Sequence, residues 1–476
     1  MKKTHLTTTT FLCLALGLSC IVTAKTNTTY IIGGGNILSN SQSQIEENVI
    51  WINSILSNKI ANIEIYFGSG KDASHDVVYR KERRFSDDWL NIIYTPAGVH
   101  LLTPFKNTIN TVTGTTQKQA LSTQLGASLK ALPEDQEILI TYNGHGGLHP
   151  TDTNKNYLKL WQDTELDIAE LNTLLDQAPK STTIRFVATQ CYSGAFSKLT
   201  LENPNSSVLS QQQRCGFMAE SALHESEGCE LETNIKEFRD YTTYFYSALD
   251  GKTRTGESIK NTYDINADNI ISFREAHLYT LATAHSGDLS RSTSEVYLEQ
   301  WEPWYFRWSS WIKNPMSIYS RLAKDVTKNN NIPTDINQLH QRRAQFKQQY
   351  INNKEQQKQL KNRITNSQNT IKLALESKWP QLKQFTVNSD VLTPQELTLA
   401  NEFIKNHTIS KQLKQDILQL DKLRQIELTE KRQFTQIDKV FRLKKLARLE
   451  HLFERFATQA QKQHYHQLID CENGTL

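Results

Sequence analysis

Beyond its first two dozen residues this sequence has no long apolar run, and no later stretch is apolar enough to cross a bilayer. It also lacks the spaced Gly-x-Gly-x-x-Gly of a dinucleotide fold and the lysine of a phosphate-binding loop. Gly33-Gly34-Gly35-Asn36 therefore reads as a tight turn after a strand, not as a nucleotide cradle. His149, His224 and His277 have no companions at ligand spacing, which argues against a zinc site. No segment repeats at a fixed period. Net charge is small, with 54 Lys and Arg against 50 Asp and Glu. That balance hides an excess of about +12 over residues 321–470, and a solvated Lys- and Gln-rich helical surface explains it better than a specific nucleic-acid patch.

The N-terminus reads as a leader. Lys2 and Lys3 precede an apolar stretch over residues 11–22, and Val22-Thr23-Ala24 offers small residues where a signal peptidase reads. Residues 1–24 are thus expected to leave, giving an exported chain that starts at Lys25 and has no transmembrane segment. Cys20 faintly suits lipid attachment, but Gly17 stands where that motif wants Leu or Val, so anchoring is the weaker reading. Four cysteines then remain. Export favours disulfides, and Cys215 and Cys229 flank a short polar loop that makes them the expected pair. Cys471 is left free or paired elsewhere, and Cys191 needs another explanation.

Residues 25–312 alternate short apolar runs with helical periods. Strands are expected at 28–32, 63–67, 137–142 and 183–188, and helices at 44–56, 117–132 and 164–178. Strands separated by helices imply parallel crossovers, hence an α/β three-layer sandwich with a mostly parallel sheet. Residues 313–476 change character: after a polar linker at 329–333, apolar positions such as Leu413, Ile417, Leu420 and Leu423 fall three or four apart. Thr393, Pro394 and Glu396 form a helix-start signature. A basic, all-α, coiled-coil-like C-terminal domain follows. Trp304, Trp308 and Trp311 share one helical face and are expected to form a seam between the two domains.

Two expected strands end in reactive residues. One runs into Asn143-Gly144-His145-Gly146-Gly147 and the other into Gln190-Cys191-Tyr192-Ser193-Gly194. In a parallel sheet both lie at the carboxyl edge, where α/β folds place their sites. About 46 residues separate His145 from Cys191, one crossover unit, so adjacent strands would bring them together. A thiolate is a nucleophile, and a neighbouring imidazole can take its proton or return one to a leaving amine. Gly146 and Gly147 leave room for a substrate backbone, and the amides near Gly146 and of Cys191 can hold an oxyanion. Ser193 reads as the cap of the next helix or as a substrate contact. Taken singly, a strand-end cysteine is an inert core residue and a histidine among glycines a turn residue; the matched pair reverses that reading.

An apolar strand into His-Gly, followed by another into Gln-Cys, resembles the caspase and legumain clan of cysteine peptidases. Cys191-Tyr192-Ser193-Gly194 is closer to the Cys-x-Ser-Gly of legumains. Gln44-Ile45-Glu46-Glu47-Asn48, Arg214-Cys215-Gly216-Phe217, residues 240–245 and residues 294–298 are further similar to bacterial secreted legumain-like members. The likeness covers roughly residues 30–301. It implies a caspase-like fold, a Cys191–His145 dyad, protein or peptide substrates and no catalytic cofactor. Legumains carry an acidic residue directly after the nucleophile, and Tyr192 stands there instead, so no cleavage preference carries over. An inactive scaffold on the same fold, or a peptide ligase, are the rival readings. The helical domain is expected to dock a protein partner or substrate, or to cover the site as a removable pro-region, a position that legumains also give to a helical segment.

A second site is expected at a calcium loop. Asp264, Asn266, Asp268, Ser272 and Glu275 place side-chain oxygens at its first, third, fifth, ninth and twelfth positions, and the Ile270 carbonyl at the seventh. Ser272-x-x-Glu275 is equally a helix capping box. Calcium there would be structural.

Overall fold

The computed structural model describes residues 28–86, 88–228, 234–260, 263–304, 316–387, 389 and 391–476. The leader, Cys229, Trp308, Trp311 and the 312/313 boundary lie outside the described residues.

Strands come first because the alternation of apolar side chains is unusually regular. In strand β1 (Thr28–Gly34), Tyr30 and Ile32 enter one core while Ile31 enters another. The next strands are β2 (Asn62–Phe67), β3 (Val77–Arg80), β4 (Leu102–Phe105), β5 (Val112–Gly114) and β6 (Glu137–Gly147). In β6, Ile138, Ile140 and Tyr142 face the first core and Leu139 the second. Strands β7 (Tyr157–Leu160), β8 (Thr164–Asp167), β9 (Thr183–Ala188), β10 (Gln213–Met218) and β11 (Arg291–Ser292) complete the set. A strand buried on both faces must be covered by helices on both sides, which is the setting of parallel sheets. The main sheet runs β11-β10-β9-β6-β1-β2-β5, parallel throughout except for β11, with β7 and β8 as an antiparallel extension of the end of β6.

Helices α1 (Ser43–Leu56), α2 (Trp89–Tyr94), α3 (Lys118–Lys130), α4 (Ile168–Leu175), α5 (Tyr241–Asp250) and α6 (Phe273–Thr283) follow the crossovers. α3 and α4 bury Leu121, Leu125, Leu171 and Leu175 on one face of the sheet, and α1, α5 and α6 bury Ile45, Val49, Tyr241, Phe245 and Phe273 on the other. Residues 164–167, expected to be helical, pair with β7 as a strand. The helix starts one residue later, where Asp167 and Glu170 make a reciprocal capping box.

The rest is helical: α7 (Thr293–Trp301), α8 (Ile318–Asn329), α9 (Ile336–Lys378), α10 (Pro394–Asn406), α11 (Ser410–Phe456) and α12 (Gln459–Glu472). α9 and α11 are 43 and 47 residues long and share a core in which Leu360, Ile364 and Ile371 meet Leu413, Ile417 and Leu420. α11 continues into a second core with α6, α7 and α8, where Val440, Leu443 and Phe453 pack on Leu281, Leu298 and Leu322. The mixture of α/β body and helical region is thus intimate. Trp304, expected in a seam, is 71% exposed. Among the described residues no helix is long and apolar enough to cross a membrane.

The expected Cys215–Cys229 pairing is not made. Cys215, buried in β10, is bonded to Cys471 of α12, with Cα atoms 5.9 Å apart and a sequence separation of 256. Loop length suggested the near pair, but a cysteine inside a strand points its side chain across the sheet face. There it meets whatever helix packs on that face, here α12.

Candidate active site

His145 lies near the end of β6, and Cys191 lies in the turn that follows the adjacent parallel strand β9. β6 and β9 are paired in register up to Tyr142 opposite Ala188, and each reactive residue lies three positions further on. Beyond the ladder, Thr189 still donates its amide and its hydroxyl to the Tyr142 carbonyl. Both side chains are half-buried. The glycine beside them has a steric cause: a Cβ on Gly146 would collide with the Cys191 carbonyl oxygen and with Gln190. The strand–strand contact at the dyad therefore requires glycine.

The imidazole is fixed from one side. Nε2 of His145 lies 2.7 Å from the Asn40 carbonyl oxygen and 2.8 Å from Oε1 of Gln42, two acceptors. Nε2 must then carry the proton, and the neutral ring keeps its lone pair on Nδ1. The turn after β1 makes this possible, because any side chain on Gly35 would occupy the space of the Asn40 carbonyl. Asn40 and Gln42 precede α1, and nothing in the sequence marked them beyond their place before a helix.

Burial lowers the pKa of His145, and Lys159, opposite it on β7, lowers it further against the upward pull of the Asn40 carbonyl. Burial pushes the Cys191 thiol up, opposed by hydrogen bonding to Ser226 and reinforced by the Glu225 and Asp288 carboxylates. Both directions favour a neutral thiol beside a neutral imidazole at rest.

The far wall of the site is the loop of residues 220–228. Its Ser226 places both its hydroxyl and its carbonyl 3.8 Å from the Cys191 sulfur and donates to the Thr189 carbonyl. Tyr192 adopts a left-handed conformation (φ 59°), costly for a side chain of this size, and is held there as its amide donates to the His224 carbonyl. Its hydroxyl bonds Glu225, and burial together with that carboxylate pushes the phenol up to about 12. Ser193 neither caps a helix nor opens to substrate. It is fully buried, and its hydroxyl accepts from the Glu220 amide. Ser226, Glu225 and Asn156, which donates to the Ala222 carbonyl, escaped the sequence reading because loop residues carry no periodic signal.

At the expected calcium loop, the side chains are engaged with one another and the backbone. Asp264 accepts from the amides of Asp268 and Asn269, and Asp268 accepts from Ile270 and from Asn266. Glu275 is buried, one oxygen on the Ile265 amide and the other on Ser272, whose hydroxyl caps α6. Each side-chain oxygen of the set thus has a partner within the chain. Among the described residues no group of three or more His, Cys, Asp or Glu is placed to hold a metal. His149, His224 and His277 lie in separate local networks, with the Asp152 amide, Ser221 and Tyr241 respectively.

No family model and no curated protein matches this chain. Among solved structures, a structural-genomics target from Geobacter sulfurreducens is similar over 42% of this chain and 76% of its own, at 13% identity and a TM-score of 0.26, a likeness too slight to carry an argument.

Proposed function

We propose that this chain is an exported cysteine endopeptidase with a caspase- or legumain-like α/β domain, acting through Cys191 and His145. One observation carries the reading: an imidazole with Nε2 held by the Asn40 carbonyl, near the end of β6, and a thiol three residues beyond the end of the adjacent parallel strand β9 share one sheet edge, where Gly146 packs against the Cys191 carbonyl. In this reading Nδ1 of His145 takes the Cys191 proton as sulfur attacks the peptide carbonyl carbon. The carbonyl π electrons move to oxygen, which the amides near Gly146 and of Cys191 hold. The C–N bond breaks, the amine leaves with the proton from His145, and a thioester remains. Water, deprotonated by the same nitrogen, then releases the acid and restores the thiol. No cofactor enters this cycle. An acidic pocket residue does not follow the nucleophile, so Tyr192 leaves the cleaved bond to a library screen.

The test is turnover of a peptide library together with labelling by peptidyl chloromethyl ketones, for the wild type and for Cys191→Ala. The wild type is expected to cleave and to label at Cys191, and the variant to lose at least about 1,000-fold in turnover with an unchanged melting midpoint. A wild type that neither labels nor cleaves under reducing conditions removes the proposal. Added amines would divert the thioester and separate a ligase from a hydrolase.

A further inference from the structure

We infer that helix α11 is a working part of the site: Arg432, through Glu227, is a positioning residue for the loop that walls Cys191, so turnover requires the helical region instead of awaiting its removal. This rests on the peptidase reading of Cys191.

The contacts form a continuous path. Arg432 grips both carboxylate oxygens of Glu227, with Nε at 3.0 and 3.2 Å and Nη2 closing on Oε1. Glu227 is buried, and its second oxygen also accepts from the Gly287 amide. Its own amide donates to Asp288 at 2.6 Å. One residue earlier is Ser226, against the Cys191 sulfur, and one earlier again is Glu225, whose carbonyl accepts from Lys431 and whose carboxylate holds Tyr192. Further along the same helix face, Gln436 donates to the Ser286 carbonyl and Lys439 to that of Ala284. Five side chains of α11, counting Thr435 on Gly287, therefore pin the loop that walls the sulfur and the 284–288 segment that packs on it.

Charge explains why the grip matters. Glu220, Glu227 and Asp288 are all buried within these loops. Burial and the other two carboxylates raise the pKa of Asp288 well above its usual value, and Lys431 opposes them. Arg432, Lys431 and Lys439 of α11 face this cluster, and Arg291 of β11 also lies near Glu220. Withdrawing the helix would leave three carboxylates crowded in low dielectric, and the loop would open to reach water. The Cys215–Cys471 bond adds an independent constraint, because a cut in the linker would leave α12 tied to β10. A cover meant for release is not built that way.

Arg432→Ala, Arg432→Lys, Glu227→Gln and the charge exchange Arg432→Glu with Glu227→Arg are made in the full mature chain. For each, kcat, KM, the melting midpoint and the rate of Cys191 alkylation by iodoacetamide are measured. Arg432→Ala is expected to lower kcat about tenfold or more with little change in KM, since sub-ångström misplacement at a reacting group is costly. Arg432→Lys should retain part of the rate, and the charge exchange should recover part of it. If Arg432→Ala does not fold, Arg432→Lys and Glu227→Gln carry the same comparison. Folded variants that turn over within twofold of wild type overturn the inference and leave the peptidase reading intact. If the wild type cleaves nothing, the peptidase reading fails by itself. The alkylation rate then decides the positioning role: a change in Arg432→Ala supports it and an unchanged rate overturns it.

Discussion

Two histidines in this molecule, His277 buried and His145 half-buried, differ in what their surroundings leave undone. His277, on α6, is 1% exposed; its Nδ1 bonds the Tyr241 hydroxyl and its Nε2 lies 3.3 Å from the Glu295 carboxylate. Glu295 is further bound by Arg442 of α11, and that guanidinium and His277 hold its carboxyl down at about 2 against full burial. His277 thus has a hydroxyl on one nitrogen and a carboxylate within ion-pair distance of the other. His145 has Nε2 committed to the Asn40 carbonyl and Gln42, on the sheet edge that also carries Cys191. In the proposed peptidase reading, His277 is an architectural residue and Nδ1 of His145 is the nitrogen that serves chemistry.

Exchanging the two sites for asparagine would break this comparison most visibly. His145→Asn is expected to lower turnover at least about 1,000-fold while the melting midpoint stays within a few degrees, because only one ring nitrogen loses its partners. His277→Asn should do the opposite, keeping turnover per folded molecule and lowering the midpoint. Arg442→Met is the harsher probe of the same junction. It strands Glu295 without its cation, at a cost of about 3–5 kcal/mol, read by denaturant unfolding at pH 7. The sign of the pH dependence follows from the depressed pKa. The stabilising contribution of Glu295 is complete above the ordinary carboxylate value and is lost as pH falls toward about 2. Arg442→Met should flatten that acid limb.

The contrast also shows what the sequence could reveal. That His145 and Cys191 would meet at one sheet edge was legible because period-two strands fix the end of each strand and adjacent parallel strands do the rest. The core of β1, β6 and β9 follows from the same alternation. β10 was not recognised, because Gln213-Arg214-Cys215-Gly216 breaks the apolar pattern. Its Arg214 is buried only because Asp176 and Asn172 meet it from another element. The disulfide failed for a related reason, since its partner is chosen by helix packing and not by chain distance. Asn40, Ser226 and Arg432 were invisible because their contacts are carbonyls and carboxylates brought near by the fold. Side-chain chemistry at a strand end is local, whereas support from α11 is wholly tertiary.

A smaller effect tests the neutral-pair account of His145. Its pKa lies below the ordinary imidazole value, so the base form persists under mild acid and the acid limb of kcat/KM should fall below about 6.5. Gln42→Glu would place a carboxylate on Nε2, stabilise the imidazolium and move that limb upward. A limb at the same pH in both proteins would mean that Gln42 does not face the working imidazole.

The smallest expected effect is at the turn from Asp264 to Glu275, where two roles compete for the same oxygens. A calcium ion would need Glu275 to release the Ile265 amide or Ser272, and so to give up half of the α6 cap. A weak site, half-saturated near 1 mM and supplied at 10 mM, would add only about 1.4 kcal/mol of stability. With the cap already complete, the melting midpoint is expected to be the same in calcium and in chelator. Ser272→Ala, which removes the cap hydroxyl, should cost about 1 kcal/mol in either condition. A calcium-dependent rise that disappears in Asp264→Asn would reverse this assignment, because the cap alone gives the ion no reason to act through Asp264.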